Sequence, residues 1–146
     1  MRSNTRLPSS KKEAEMLAPQ WLKHASDSVK LINTTKKASV FFDRYDFFLD
    51  TLGRLALCER WVRFTGTLPS AMLRSAEADR KEQTRLFILR YAQDTREKIN
   101  QLTTQRGKLN KAEAYYNTLT EYSNRMSDEH IPLFTEQYEL LKQLAQ

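Results

Sequence analysis

A single cysteine, Cys58, stands among 146 residues, so no internal disulfide can close a loop. No hydrophobic signal segment and no apolar run of membrane length is present, which points to a reducing, cytoplasmic setting with no membrane partner. Glycine and proline number only 3 and 4. Sandwiches and barrels need a turn residue about every eight to twelve positions, which argues against a many-stranded fold and leaves long helices as the alternative. Histidine occurs twice, at His24 and His130, and neither has Glu three residues before it. A carboxylate-bridged metal centre in a bundle would need such pairs. Glycine-rich phosphate loops, zinc-finger spacings and helix-turn-helix signatures are missing as well. With no nucleophile, base and acid that can be grouped, the chain is not expected to be an enzyme, and no metal or cofactor is expected.

What the chain does contain is one dense apolar segment, Ala38 to Val62 (ASVFFDRYDFFLDTLGRLALCERWV). At helical periodicity Phe41, Phe42, Tyr45, Phe48, Leu49, Leu52, Leu55 and Ala56 share a face too wide for a two-helix seam, so it needs at least two neighbouring helices. Val40, Phe47 and Cys58 form a second, narrower strip, which suggests contact on another side. Asp43, Asp46 and Asp50 share the opposite face. Three carboxylates there could hold a divalent cation, but a solvated face pairing with Arg74, Arg80, Lys81 and Arg85 of the next helix is the simpler reading.

Around this segment the spacing predicts other helices. Residues 1–17 read as a basic flexible tail, with a capping signal at Ser10 and Glu13 too close to Pro19 to launch more than a short helix. The helical domain is expected over 18–146, opening near Ala18 with a stripe of Trp21, Leu22, Ala25, Val29 and Ile32. After a polar linker at residues 34–37, Ser39 is the expected cap of the central helix, which should end near Phe64. Gly66 then supplies a left-handed stop, and Pro69 sits in the first turn of an antiparallel neighbour. A seven-residue rhythm follows, through Ile88, Thr95, Leu102, Leu109, Tyr116 and Ser123, with Ala92, Ile99, Ala112, Leu119 and Met126 between. Gly107, with Asn110 and Glu113, spells a break and a new cap inside it, and the alternatives of one rod or two remain open. A turn at residues 127–132 feeds a last helix with Phe134, Tyr138, Leu141 and Leu144 on one stripe. The expected fold is all-α: an antiparallel helical bundle of four to five helices with one long helical hairpin, partly coiled-coil-like.

The net charge of +6 is uneven. Residues 1–37 carry 8 cations against 3 anions, while residues 107–146 carry 4 against 6. A basic front suits an acidic partner or nucleic acid, and equally a solubilising arm. Arg60, Trp61 and Arg63 interleave cations with an aromatic ring, a pattern that can follow a nucleic-acid backbone, though the same residues suit a helix C-terminus. Cys58 has no histidine within a helical turn, so a buried structural thiol is expected. His24 is expected at the surface and His130 in a turn. The candidate partner-binding residues are Phe47, Arg60, Trp61, Arg63, Tyr115 and Tyr122, the tyrosines alternatively lining a seam between helices with their hydroxyls at its wet edge.

The runs Val40–Leu49 (VFFDRYDFFL), Phe64–Ser70 (FTGTLPS) and Lys98–Leu102 (KINQL) together resemble a helical module of uncharacterised proteins from low-GC Gram-positive bacteria and their phages. The resemblance covers about residues 20–145 and implies a recurring module, often C-terminal in a longer polypeptide, with no established activity or catalytic residues. The functional expectation is a non-enzymatic helical interaction module, engaging a protein partner or another copy of itself. Weak, mainly electrostatic nucleic-acid binding, with a phage-related role, is the alternative.

Overall fold

The computed structural model describes residues 7–146. Arg2 and Arg6 of the basic leader lie outside the described residues. Among the described residues there are six α-helices, one 3-10 turn and no strand: α1 (Lys11–Thr34), α2 (Ala38–Cys58), α3 (Pro69–Ala78), α4 (Arg80–Gln101), α5 (Gln105–Glu121), the turn Ser123–Arg125, and α6 (His130–Gln143). Six helices stand where four to five were expected, because the stretch after Pro69 is divided twice.

α1 begins at Lys11 rather than near Ala18. The Ser10 hydroxyl accepts the Glu13 N–H at 3.2 Å, and the Glu13 carboxylate accepts the Ser9 N–H at 3.0 Å. The first satisfies a donor that a helix start leaves unpaired, and the second ties the residue before the cap to the first turn. Pro19 sits inside the helix without ending it. Its missing donor costs a hydrogen bond, but Ala14, Leu17, Ala18 and Trp21 are buried on either side of it, and one continuous buried stripe outweighs that loss. Residues 11–17, read from sequence as tail, are therefore part of the first helix.

α2 opens at Ala38, with the Phe41 N–H donating to the Lys37 carbonyl, so Ser39 lies inside the first turn instead of capping it. It ends at Cys58, earlier than Phe64, where the Cys58 carbonyl takes the N–H groups of Trp61 at 2.9 Å and Val62 at 2.8 Å. Gly66 is the one glycine with a left-handed backbone, at φ 78°. The next helix has Leu68 at its N-cap, which has no side-chain acceptor. Glu59 supplies one from across the loop, its carboxylate accepting the Ser70 N–H at 2.6 Å and the Ser70 hydroxyl at 3.0 Å. An anion at a helix N-terminus also meets the positive end of the dipole.

The long helical stretch breaks at Leu102–Thr104, not at Gly107. Thr104 caps α5 by accepting the Gly107 N–H at 3.0 Å. A Cβ on Gly107 would lie 2.8 Å from that same hydroxyl, so glycine is what lets the cap close. Its role is close approach within the first turn of α5, and the expected cap at Asn110 is not used.

The chain divides into two compact units, one comprising the residues up to Thr34 with Phe42–Arg80, the other Thr35–Phe41 with Lys81–Gln146. In the first, α1, most of α2 and α3 share a core of Leu17, Trp21, Leu52, Leu55, Cys58 and small alanines, with Phe48, Trp61, Phe64 and Met72 packed against it. Each fully buried leucine contributes roughly 1.5–3 kcal/mol. The Tyr45 hydroxyl donates to the Ala76 carbonyl at 2.5 Å, tying α2 to the last turn of α3.

In the second unit the first residues of α2 meet α4, where Phe41 stacks on Phe87 at 4.7 Å between centroids. Tyr91 leans on Tyr115 at 4.8 Å, and the Tyr115 hydroxyl donates to the Ile88 carbonyl at 3.1 Å. The start of α5 (Gln105, Arg106, Leu109) borders the same pocket as the end of α6 (Glu139, Lys142, Gln143), and Tyr116 lies against Phe134 and Tyr138. α6 therefore folds back antiparallel on α5, as the short turn predicts.

Candidate functional site

Local sequence explains how the loop after α2 builds a surface. Beyond Cys58 the chain alternates: Trp61, Val62 and Phe64 are half-buried against the first unit's core, while Arg60 and Arg63 point to solvent. The Arg60 guanidinium lies 4.0 Å above the Trp61 ring, a cation–π pair of about 0.5–1 kcal/mol at an exposed site. Arg63, on the other side, borders a trough of about 600 Å³. The trough is lined by Pro19 and Leu22 of α1, Val62 and Phe64 of the loop, and Pro69 and Met72 of α3, with the exposed Glu15 of α1 at its edge. The trough is thus mostly apolar, with one anion and one cation at its edge.

The sequence-derived candidates fall into three groups. Arg60, Trp61 and Arg63 stand together at or beside the trough. Phe47 is elsewhere on α2, half-buried, with His24 edge-on at 6.0 Å and the Arg44 guanidinium 5.1 Å from its ring. The tyrosines do not form one surface. Tyr115 is fully buried and burial pushes its phenol up strongly, so it is core and not available to a partner. Its hydroxyl sits at a helix carbonyl rather than at a wet edge. Tyr122 is half-buried at the C-terminal end of α5, with Arg125 over its ring at 5.7 Å.

The other side chains weighed from sequence also find places. Cys58 is fully buried, and burial raises its thiol, which is the opposite of what a nucleophile needs. Asp46 pairs with Arg80 at 2.7 Å and Asp50 with Arg54 at 3.0 Å. Among the described residues no three of His, Cys, Asp and Glu are grouped as metal ligands would be, and no helix is long and apolar enough to cross a membrane.

Two features escaped the sequence. His130 is not in the turn: it opens α6 and is buried, its Nδ1 accepting the Ser127 N–H at 3.0 Å and its Nε2 lying 2.9 Å from the Lys81 carbonyl. With Nδ1 an acceptor, Nε2 carries the proton and donates to that carbonyl. The second is on α1, where Leu22 is 41% and Val29 39% exposed, so neither belongs to the inward stripe expected of them. The buried stripe runs instead through Ala14, Leu17, Ala18, Trp21, Ala25, Ser28 and Ile32. Pro19, Leu22 and Val29, with the small Ser26 among them, form a separate exposed strip beside it. Their three-four-three spacing was the signal that could have shown it. No family model, no curated protein and no solved structure matches the chain.

Proposed function

We propose that this chain is a non-enzymatic helical protein-interaction module that engages its partner through the trough between α1, the loop after α2 and the start of α3. The observation that carries this reading is the trough itself: an open, mostly apolar hollow with Arg63 and Glu15 at its rim. Apolar side chains set in a polar rim are the common anatomy of a protein-docking surface. The reading includes bundle-like, partly coiled-coil packing of the heptad positions, supported by burial of Ala92, Ile99, Ala112 and Leu119. A reducing, cytoplasmic setting belongs to it as well, supported by the single buried thiol. The resemblance to the low-GC Gram-positive and phage module is part of the same proposal.

Electrostatic nucleic-acid binding is the second reading, favoured by the exposed Arg60 and Arg63. Trp61, however, is engaged before any base arrives, with Arg60 above it and the core beside it. That occupancy favours the protein partner.

The test is selection of peptides from a random display library on the immobilised chain, followed by NMR titration. Selected peptides should carry an apolar anchor beside an acidic residue and shift the amides of Leu22, Phe64 and Met72. Leu22→Glu, an exposed position, should weaken them about tenfold by placing a charge in the apolar wall. Absence of any binder above background, or shifts elsewhere on the surface, would overturn the reading.

A further inference from the structure

The trough does not end at Leu22. Pro19, Leu22, Ser26 and Val29 continue it as a strip along α1, all four exposed, while the adjoining face of the same helix is buried in the first unit through Trp21, Ala25 and Ile32. Ser26 is the one polar member, and its side chain is short enough to leave the strip's surface level. A helix with one apolar face buried and a second, mostly apolar strip in solvent is short of a partner along that strip.

We infer that the strip pairs with its own copy, the two α1 helices lying antiparallel across a two-fold axis. This rests on the interaction-module reading and names the partner as a second copy of this chain. An isologous interface must be its own complement, and this strip is. With the axis between Leu22 and Lys23, Pro19 faces Ser26 and Met16 faces Val29, with Leu22 near its counterpart at the centre. Met16 is 61% exposed and reaches the partner's Val29 from the flank of the strip. The charges select the same register: Glu15 comes opposite Lys30, twice by symmetry, whereas a parallel pair would set Glu15 against Glu15 and Lys30 against Lys30. Pro19 and Ser26 are small beside the axis, which lets the helices approach to the short end of the usual range of about 8–10 Å. At the rim of a wet interface the Ser26 hydroxyl keeps its water, so it adds no desolvation cost. The strip is narrow compared with interfaces of about 1,200–2,000 Å² that hold stable dimers, so the dimer is weak, with a dissociation constant on the order of 100 µM.

Sedimentation velocity on the full chain, from about 10 µM to about 1 mM so as to bracket that constant, tests it. Wild type should pass from monomer to dimer. Glu15→Lys and Lys30→Glu alone should each weaken the dimer by up to about tenfold, since each replaces two attractive exposed pairs with repulsive ones. The double variant should recover to within about twofold of wild type, an outcome that a merely structural role for either residue would not give. Leu22→Glu should leave only monomer, with an unchanged far-ultraviolet circular dichroism spectrum. Monomer throughout for wild type, no recovery in the double variant, or a dimer that persists with Leu22→Glu would each overturn the pairing. The displayed peptides separate the two proposals. A strictly monomeric chain that still binds them at the trough overturns the self-pairing and leaves the module reading standing, whereas a chain that does neither overturns both.

Discussion

The two units solve the problem of buried polar groups differently. In the unit built on α4, α5 and α6, buried polar side chains are matched: Thr95 donates to the Tyr91 carbonyl at 2.9 Å, Tyr115 to Ile88, His130 uses both ring nitrogens, and Thr84 has a partner. In the unit built on α1, α2 and α3, the hydroxyls of Ser28 and Thr51 are buried and, among the described residues, have no hydrogen-bond partner. Exposure differs in the same direction. Leu7, Met16, Leu22, Val29, Leu31, Leu57 and Leu68 of the first unit are exposed, against Leu86, Ile131 and Leu140 of the second. Both units have apolar cores and directional contacts, but among the described residues the first leaves two buried hydroxyls unmatched and more of its apolar side chains outside. A region that has finished its own packing offers little to a partner, which is why the trough and strip of the first unit carry the functional proposals.

The largest expected effect comes from breaking the second unit's matching. His130→Ala removes a buried ring, leaves the Ser127 N–H without its acceptor, and takes from the Lys81 carbonyl the donor it receives beyond the α4 ladder. An unpaired buried group costs about 1–3 kcal/mol and a cavity adds to it, so urea denaturation should show a loss of about 2–4 kcal/mol. His130→Gln, which keeps a donor, should recover part of that. A loss under about 0.5 kcal/mol would show that the bridge is not what fixes the start of α6, and the contrast between the units would weaken.

Tyr45 sharpens the comparison from the first unit, because its hydroxyl is a buried polar group there that does find a partner. Tyr45→Phe leaves the Ala76 carbonyl, in the last turn of α3, without its donor, and should cost about 0.5–1.5 kcal/mol near neutral pH. The alkaline arm is more specific. Burial, then the nearby Asp79 carboxylate, against the opposing Arg80, pushes the Tyr45 phenol from its ordinary 10.0 up to about 12. Between those values the unfolded chain sheds a proton that the folded chain keeps, so stability falls as pH rises through the window. Denaturation curves at intervals across it should be flatter for Tyr45→Phe than for wild type. The remaining slope belongs in part to Tyr115, also raised by burial. Equal slopes in the two proteins would remove Tyr45 from the account.

Much of the fold was legible because it follows from local rules. The apolar face of α2 was readable from periodicity, and Phe41, Phe42, Tyr45, Leu52 and Leu55 are all buried. Gly66 and Pro69 were readable from turn chemistry. Three things were not, each for a physical reason. Pro19 argues for a break only if local propensity decides, and here the buried stripe on both sides overrides it. The break before α5 depends on Thr104 reaching Gly107, a contact between residues that in sequence look like a generic cap and a generic stop. His130 was missed because its value lies in a carbonyl at Lys81, far away in the chain, and no spacing rule connects the two. Of the site, Arg63 and Trp61 were readable from composition, but the trough was not. Its walls come from three segments, and Leu22 and Val29 match the spacing of the buried stripe closely enough to pass for part of it.

The smallest effect has the opposite sign. Thr51 is 1% exposed, and among the described residues its hydroxyl has no hydrogen-bond partner. Valine keeps the β-branched shape and replaces the hydroxyl by a methyl group, so Thr51→Val removes the desolvation cost and leaves no cavity. The chain should gain up to about 1 kcal/mol, read as a higher urea midpoint at unchanged slope. The same exchange in the second unit, Thr95→Val, deletes a satisfied bond to the Tyr91 carbonyl and should be neutral or destabilising. If both variants lose stability alike, the Thr51 hydroxyl has a partner after all, and the two units differ in exposed apolar surface alone. If only Thr51→Val gains, the first unit carries frustration within its core as well as on its surface, which is how a region looks when its sequence answers to something beyond its own stability.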